Sequence, residues 1–517
     1  MIEILQQLGT GFLIVFEPVN LLALIVGLVA GMLVAVLPGL TLVMGVVLAL
    51  PFTYGMPIAP SIILLTAMYI SGTYGGAFTS ILFRIPGEPL DVPLLWDGYA
   101  MAHKGQPAKA LGWTLFAALT GGLISTLAAV LMAHPFARFA LKFDSPEYFA
   151  IILFGLTSVV ALGGGSMINA FISLFLGLMI ACVGVDTIYG AERFTFGVPM
   201  LADGIEYLTV MVGAYGLGEV LVRLEQGFVT PPLEGEGKVS TQFPTLREVW
   251  DIKPTLARSS ILGIVLGIIP GAGATIASFV AYGTESQYCK RRNEMGTGIA
   301  EGIVAPQTAS TATVAGHMVP LLTLGIPGSG ATAVILGAFL LHGMQPGPQV
   351  FMNNSSLVYA IFASLLAGVI GMCLMGYFAI KLLIKVLYLP EAVTSAFVVL
   401  FCFIGAFSAR NNITDLWMIA IFGVIGYLFE KYKFPIAPMV LGCILGTQAE
   451  SSFMTSMISY QNEWTIFFTR PISGTVMVFV IIALVYPLVR HIHLQRKQRA
   501  ARRMMPARAG SGSRIED

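Results

Sequence analysis

Apolar runs of spanning length recur along the chain, at residues 21–37, 110–132, 167–183, 357–377 and 476–488. Each approaches the roughly 20 residues that a helix needs to cross the hydrocarbon core. The pattern therefore predicts an all-α polytopic membrane protein. Residues 305–347 depart from it. They are mostly apolar, yet they contain Pro306, Pro320, Pro327 and Pro346, and Thr308, Ser310, Thr311 and Thr313 crowd the first half. A plain spanning helix needs none of these. Lipid cannot satisfy free backbone groups, so a broken helix at membrane depth survives only where protein or a water-filled cavity covers it. The stretch predicts interrupted helices or re-entrant hairpins, of the kind that build transporter binding sites.

The breaks recur. Residues 27–40 read GLVAGMLVAVLPGL and residues 263–274 read GIVLGIIPGAGA; Gly31 and Gly263 each stand seven residues before the proline of a Pro-Gly pair, Pro38-Gly39 and Pro270-Gly271. An Ile-Pro-Gly triplet follows in each case, at 85–87 after the small and polar stretch 71–80, and at 326–328 after the stretch described above. The prolines are 48 residues apart in the first copy and 57 in the second, and the polar segment 289–294 absorbs the difference. Pro146-Glu147 and Pro390-Glu391 come next, then Pro199 and Pro438. Four landmarks in one order predict two sequence-related transmembrane halves, 1–224 and 260–490, joined by a polar linker at 225–259 and followed by a basic tail at 491–517. Inverted repeats are the expected arrangement. The basic tail and Lys290–Arg292 place the C-terminus in the cytoplasm, while the acid-only N-terminus favours the outside. An inverted repeat with an odd number of crossings per half puts both ends on one side, so the charge pattern leaves the arrangement open.

Composition agrees with a membrane protein. Hydrophobic residues make up 56% of the 517 and charged residues only 11%, against about 25% in soluble proteins. The mean hydropathy is +0.84. Net charge is +1, which says nothing about partners; the lipid bilayer is the expected neighbour of the basic tail, and no nucleic acid is expected. The N-terminus has no basic region followed by a cleavage site, so no removable signal peptide is expected. Cys182, Cys289, Cys373, Cys402 and Cys443 are scattered without metal-ligand or redox spacing and read as small hydrophobes. No GxSxG, HExxH or Walker A motif occurs, so an enzyme or a nucleotide-driven pump is not expected. No cofactor is expected, and an ion gradient is the natural energy source.

Three features carry candidate chemistry. A half-helix starting at a break presents free N–H groups and the positive end of its dipole to an anion; equally, Gly and Pro at such places let helices kink and pack. On this reading the first half supplies Gly39, Pro86 and Gly87, and the second supplies Gly271, Gly273, Thr275, Pro327, Gly328 and Ser329. Secondly, polar and small residues precede the triplets: Thr73, Tyr74, Gly75, Gly76 and Ser80 in the first half, and Gln307 and Thr311 in the second. Their oxygens suit substrate or Na⁺, and they equally suit hydrogen bonds back to the preceding helical turn. Thirdly, charges flank the breaks. Arg84 can hold a carboxylate bidentately, or pair with Glu88 or Asp91. Glu301, Gln307, Thr308 and Ser310 are the candidates for coupling Na⁺ or H⁺. His317 suits either a proton relay or packing.

These segments together resemble the large membrane subunit of tripartite tricarboxylate transporters. The likeness spans about 21–488 and is most specific in IIPGAGATIASFVAYGTE (268–285), HMVPLLTLGIPGSGATAVILGAFLLHGMQPGPQVF (317–351), YGGAFTSILFRIPGEP (74–89) and WDGYAMAHKGQPAKALG (96–112). The resemblance implies a permease subunit of a secondary importer in the bacterial inner membrane. It would take up a di- or tricarboxylate by Na⁺ or H⁺ symport, working with a small four-helix membrane subunit and a periplasmic solute-binding protein. A stand-alone carboxylate exporter or channel on the same scaffold is the alternative. The resemblance also marks departures. Gln307 stands where the family carries a carboxylate, Ser310 and Thr311 where amides are usual, and Arg84 and Glu88 where small or neutral polar residues are usual.

Overall fold

Between the proline breaks the apolar runs close into helices. The computed structural model describes residues 2–37, 40–84, 86–162, 166–186, 190–227, 241–271, 273–378, 391–410 and 412–484. Pro38-Gly39, Ile85, linker residues 228–240, Pro390 and the tail at 491–517 lie outside them. In chain order the first half comprises α1 (Ile2–Val15), α2 (Pro18–Val36), α3 (Leu42–Ala49), α4 (Ile58–Phe83), α5 (Leu94–His103), α6 (Pro107–Ala140), α7 (Ser145–Leu162) and α8 (Met167–Ala181). A two-residue antiparallel ladder, Gly184–Val185 with Glu192–Arg193, precedes α9 (Tyr207–Met211), a π turn and α10 (Gly218–Gln226). The linker supplies α11 (Leu246–Asp251). Then follow α12 (Lys253–Ile268), α13 (Gly273–Tyr288), α14 (Ala300–Leu324), α15 (Gly330–Leu341), α16 (Pro348–Asn353) and α17 (Ser355–Phe378). The chain continues through α18 (Glu391–Arg410), α19 (Ile413–Lys431) and α20 (Ile436–Ser459).

Among the described residues six helices are long and apolar enough to cross a membrane: α2, α4, α6, α9–α10 taken together, α17 and α19. The chain is an all-α polytopic membrane protein. Outer helices show the lipid-facing stripe expected of them: Ile168, Ile172, Phe175 and Met179 are exposed on α8, and Trp417, Ile421, Val424 and Leu428 on α19. The central pair is different. α14 is buried without interruption from Ala300 to Thr323, and α4 is buried over most of its length. Tyr69 meets His317 and Thr73 meets Gln307, so α4 and α14 run in opposite directions along their contact.

Glycines set the close packing, and the contacts recur at matching positions. A Cβ at Gly31 would strike the Met68 carbonyl and Ser71; one at Gly263 would strike the Ala309 carbonyl and Ala312. Met68 and Ser71 stand 18 and 15 residues before Pro86, as Ala309 and Ala312 do before Pro327. Past the triplets, Gly87 lies on Gly76, and Gly328 lies on His317. A capping box then closes each turn, Glu88 with Asp91 in the first half and Ser329 with Thr332 in the second.

One expectation changes. Pro306 and Pro320 do not interrupt the stretch 305–347, because α14 runs straight through both. Proline removes one backbone hydrogen bond, and both prolines are buried among neighbouring helices. The break comes later, where Gly325 adopts a left-handed φ of 72° and ends the helix. Likewise 71–80 lies inside the unbroken α4, which ends at Arg84 with φ 57°. The described end of the linker packs against the first half: Glu248 pairs with Lys109 at 2.6 Å, and the Gln242 carbonyl sits over Gly112 of α6. The Lys109 ammonium, with help from Thr245, holds the Glu248 carboxyl down to about 2.

Candidate functional site

The breaks of the two halves meet. The Gly271 N–H donates to the Gly328 carbonyl at 3.1 Å, joining the turn before α13 to the turn before α15. Gly271 must be glycine here: its φ is 82°, and a Cβ would lie 2.8 Å from the Ser158 carbonyl of α7. Beside this junction is a cavity of about 210 Å³. Leu42 and Val43 at the start of α3 form one wall, and Gly271, Gly273, Ala274 and Thr275 at the start of α13 form another. Gly328, Ser329, Gly330 and Ala331 bring in the start of α15, and Glu88 enters from the turn after α4. Tyr69, Leu90, Val159, Ala437 and Leu441 complete the lining.

Three helix N-termini therefore open onto one cavity, each with backbone N–H groups that suit an anion. A hydroxyl network steadies the α15 side. Ser329 caps the helix through Thr332 N–H, and Tyr69 Oη stands 3.1 Å from Ser329 Oγ and 2.7 Å from His317 Nδ1. Because the lining is otherwise apolar, water competes weakly for these donors, and polar contacts made there count for more than they would at a surface.

Of the expected site residues, Gly271, Gly273, Thr275, Gly328 and Ser329 line this cavity. Pro327 forms the break just before Gly328. Pro86 and Gly87 turn the chain back so that Glu88 reaches the lining, and Gly76 allows Gly87 and Asp91 to approach α4. Gly75 packs on Met32 and Ala35. Gly39 lies outside the described residues.

The structure does not bring the other candidates to the cavity. Thr73 and Ser80 donate within α4, to the carbonyls of Ile70 and Gly76. Tyr74 is buried against Gly376. Arg84 is exposed, its guanidinium 5.4 Å from the centre of the Tyr99 ring. Gln307 donates to the Thr73 carbonyl at 3.0 Å and to Thr311 Oγ1 at 3.1 Å, about 15 Å along α14 from His317 at 1.5 Å per residue. Ser310 donates back to the Gln307 carbonyl, and Thr308 reaches the Ala117 carbonyl of α6 at 3.4 Å. Glu301 forms a bidentate pair with Arg291 at the far end of α14. Gln307 and Thr308 tie α14 to its neighbours, whereas Thr73, Ser80 and Ser310 bond within their own helices. Gln307→Glu would turn a carboxylate oxygen on the Thr73 carbonyl, so it is expected to lower the thermal unfolding temperature clearly. An unchanged unfolding temperature would contradict that packing role.

Tyr69 and Glu88 are site residues that motif reading did not select. Tyr69 sits in an apolar run with no break beside it, so nothing local marks it. Glu88 stood out as a charge near a turn where small or neutral polar residues are usual, and as a possible partner of Arg84.

Residues 21–441 match the model of the tripartite tricarboxylate transporter TctA family. The chain belongs to this family. It is 34% identical over 496 residues to a protein of Agrobacterium vitis described as "Uncharacterized 52.8 kDa protein in TAR-I ttuC' 3'region", covering 96% of this chain and 98% of the relative. A second Agrobacterium vitis protein, "Uncharacterized protein in TAR-II ttuC' 3'region", is 34% identical over 236 residues, 46% of this chain and 98% of that one. No solved structure matches. The TctA family is a membrane component of tripartite transporters, and every residue lining the cavity lies within the matched region.

Proposed function

We propose that this TctA-family chain is the permease subunit of an ion-gradient-driven importer in the bacterial inner membrane. It takes up a di- or tricarboxylate, delivered by a periplasmic solute-binding protein, and works with a small four-helix membrane subunit. The observation that supports this reading is the convergence of α3, α13 and α15 on one cavity, with the N-termini of α13 and α15 forming a ready-made seat for carboxylate oxygens. Unwound turns at the starts of half-helices are how transporters bind small ions at membrane depth. The antiparallel course of α4 and α14, with contacts at matching offsets from the two triplets, supports inverted repeats that rock around this seat. Na⁺ or H⁺ would supply the driving force.

The reading predicts that cells making this chain and the small subunit, but not the binding protein, lose uptake to background. Ion-independent downhill flux through the purified chain alone in liposomes would instead support a stand-alone exporter or channel.

A further inference from the structure

The two halves present the same turn to the cavity with different chemistry. Two residues after its proline, the second half carries Ser329 and the first carries Glu88. Both cap their turns in the same way. The Glu88 carboxylate also accepts the Leu42 N–H at the start of α3. It thus occupies, from within the protein, the anion seat of α3, whereas the seats at α13 and α15 stay open to a ligand. Among the described residues no Lys, Arg or His lies within ion-pair distance of it.

Among the described residues the groups around Glu88 supply no positive charge; Arg84, four residues earlier, is exposed with its guanidinium over the Tyr99 ring. On its own turn stands Asp91, fully buried, with Oδ2 on the Glu88 N–H and Oδ1 without a partner among the described residues. α4 contributes Tyr69, and α14 contributes His317 behind it, whose Nε2 is buried and unpartnered. α13 offers Thr275 at the cavity and Ser278, which donates to the Leu90 carbonyl. α15 offers Ser329 and Thr332, with Tyr215 near Gly330. α3, α7 and α20 offer Leu42, Val43, Val159, Ala437 and Leu441 to the cavity, none of them titratable. When both a carboxylate substrate in this cavity and Glu88 are ionised, they share an apolar surround in which no described cation offsets the two charges.

We propose that Glu88 is the proton-binding site that couples H⁺ to the substrate anion. The proton goes from solvent to a Glu88 carboxylate oxygen as the anion enters. Linkage makes the effect reciprocal: the anion favours the protonated carboxyl, and the protonated carboxyl favours the anion by the same factor. Binding must therefore weaken as pH rises through the titration of Glu88, by up to about tenfold per pH unit for one proton. The proposal rests on the cavity being the substrate site.

The test is calorimetric titration of the full chain in lipid nanodiscs with malate and citrate, between pH 6.5 and 8.5, in buffers of different ionisation enthalpy. The wild type is expected to take up one proton per anion and to bind more weakly at higher pH. Glu88→Gln and Glu88→Ser, the latter copying the second half, are expected to take up none and to bind independently of pH. Asp91→Asn is expected to keep the proton uptake. Proton uptake retained in both Glu88 variants, or lost in Asp91→Asn alone, would overturn the assignment, as would wild-type binding that follows Na⁺ and not pH. Gly328→Leu separates the two levels. If it binds malate like the wild type, the cavity reading itself falls. If it does not bind while Glu88→Gln keeps its pH dependence, only the proton assignment falls. Failure of the wild type to bind either acid removes both.

Discussion

Gly328→Leu is expected to reduce carboxylate uptake by about 100-fold or more while the protein still inserts and purifies as wild type. The side chain has nowhere to go: a Cβ at this position already runs into the imidazole of His317. Moving His317 moves Tyr69, and Tyr69 holds Ser329 at the start of α15. The Gly328 carbonyl also accepts from Gly271, so the shift passes to the start of α13. Displacing donors by about 1 Å is enough for a 100-fold loss where geometry sets function. Gly271→Leu should act similarly, with added strain from its φ of 82° and from the Ser158 carbonyl. Uptake assays normalised to membrane content, with size-exclusion profiles, check both. Normal uptake by both variants would remove the half-helix N-termini from the binding site.

Asp97→Ala is expected to give the largest loss of stability. Its Oδ1 accepts the N–H groups of Gly298 and Ile299 at 2.8 and 3.0 Å, and its Oδ2 accepts the Gly296 N–H and the Tyr282 hydroxyl, both at 2.9 Å. Asp97 is fully buried. One carboxylate on α5 thereby ties down the N-terminus of α14 and the side of α13, where a negative charge is favoured. Removing it strands several buried donors, at about 3 kcal/mol or more. Asp97→Asn keeps one acceptor oxygen and should lose less. Thermal unfolding in detergent measures both, and an Asp97→Ala protein as stable as wild type would show that α14 does not depend on this anchor.

How much of this was legible in the sequence depended on which residues mark themselves. Pro270-Gly271 and Ile326-Pro327-Gly328 announce breaks because adjacent proline and glycine are poorly tolerated inside a helix, and those breaks do converge. The hydroxyls of 71–80 and 305–313 were ambiguous for a physical reason. A serine or threonine that bonds back to its own helix has the same spacing as one that faces a ligand, and Thr73, Ser310 and Thr313 take the first course. Pro306 and Pro320 misled because a helix held between neighbours tolerates proline where protein covers the freed backbone groups, and both prolines are buried inside α14. Tyr69, Val159 and Leu441 reach the cavity only through tertiary packing, which hydropathy does not encode. The importance of Asp97 also lay hidden, since its partners are backbone groups about 200 residues away along the chain.

Substrate is expected to sit between the starts of α13 and α15. Thiol labelling tests it most directly. With Cys182, Cys289, Cys373, Cys402 and Cys443 replaced, Ala274→Cys places one thiol in the cavity lining. Malate or citrate, whichever the wild type takes up, is expected to slow maleimide labelling of this thiol over the same concentration range that saturates uptake. A labelling rate unchanged at saturating substrate would contradict the claim.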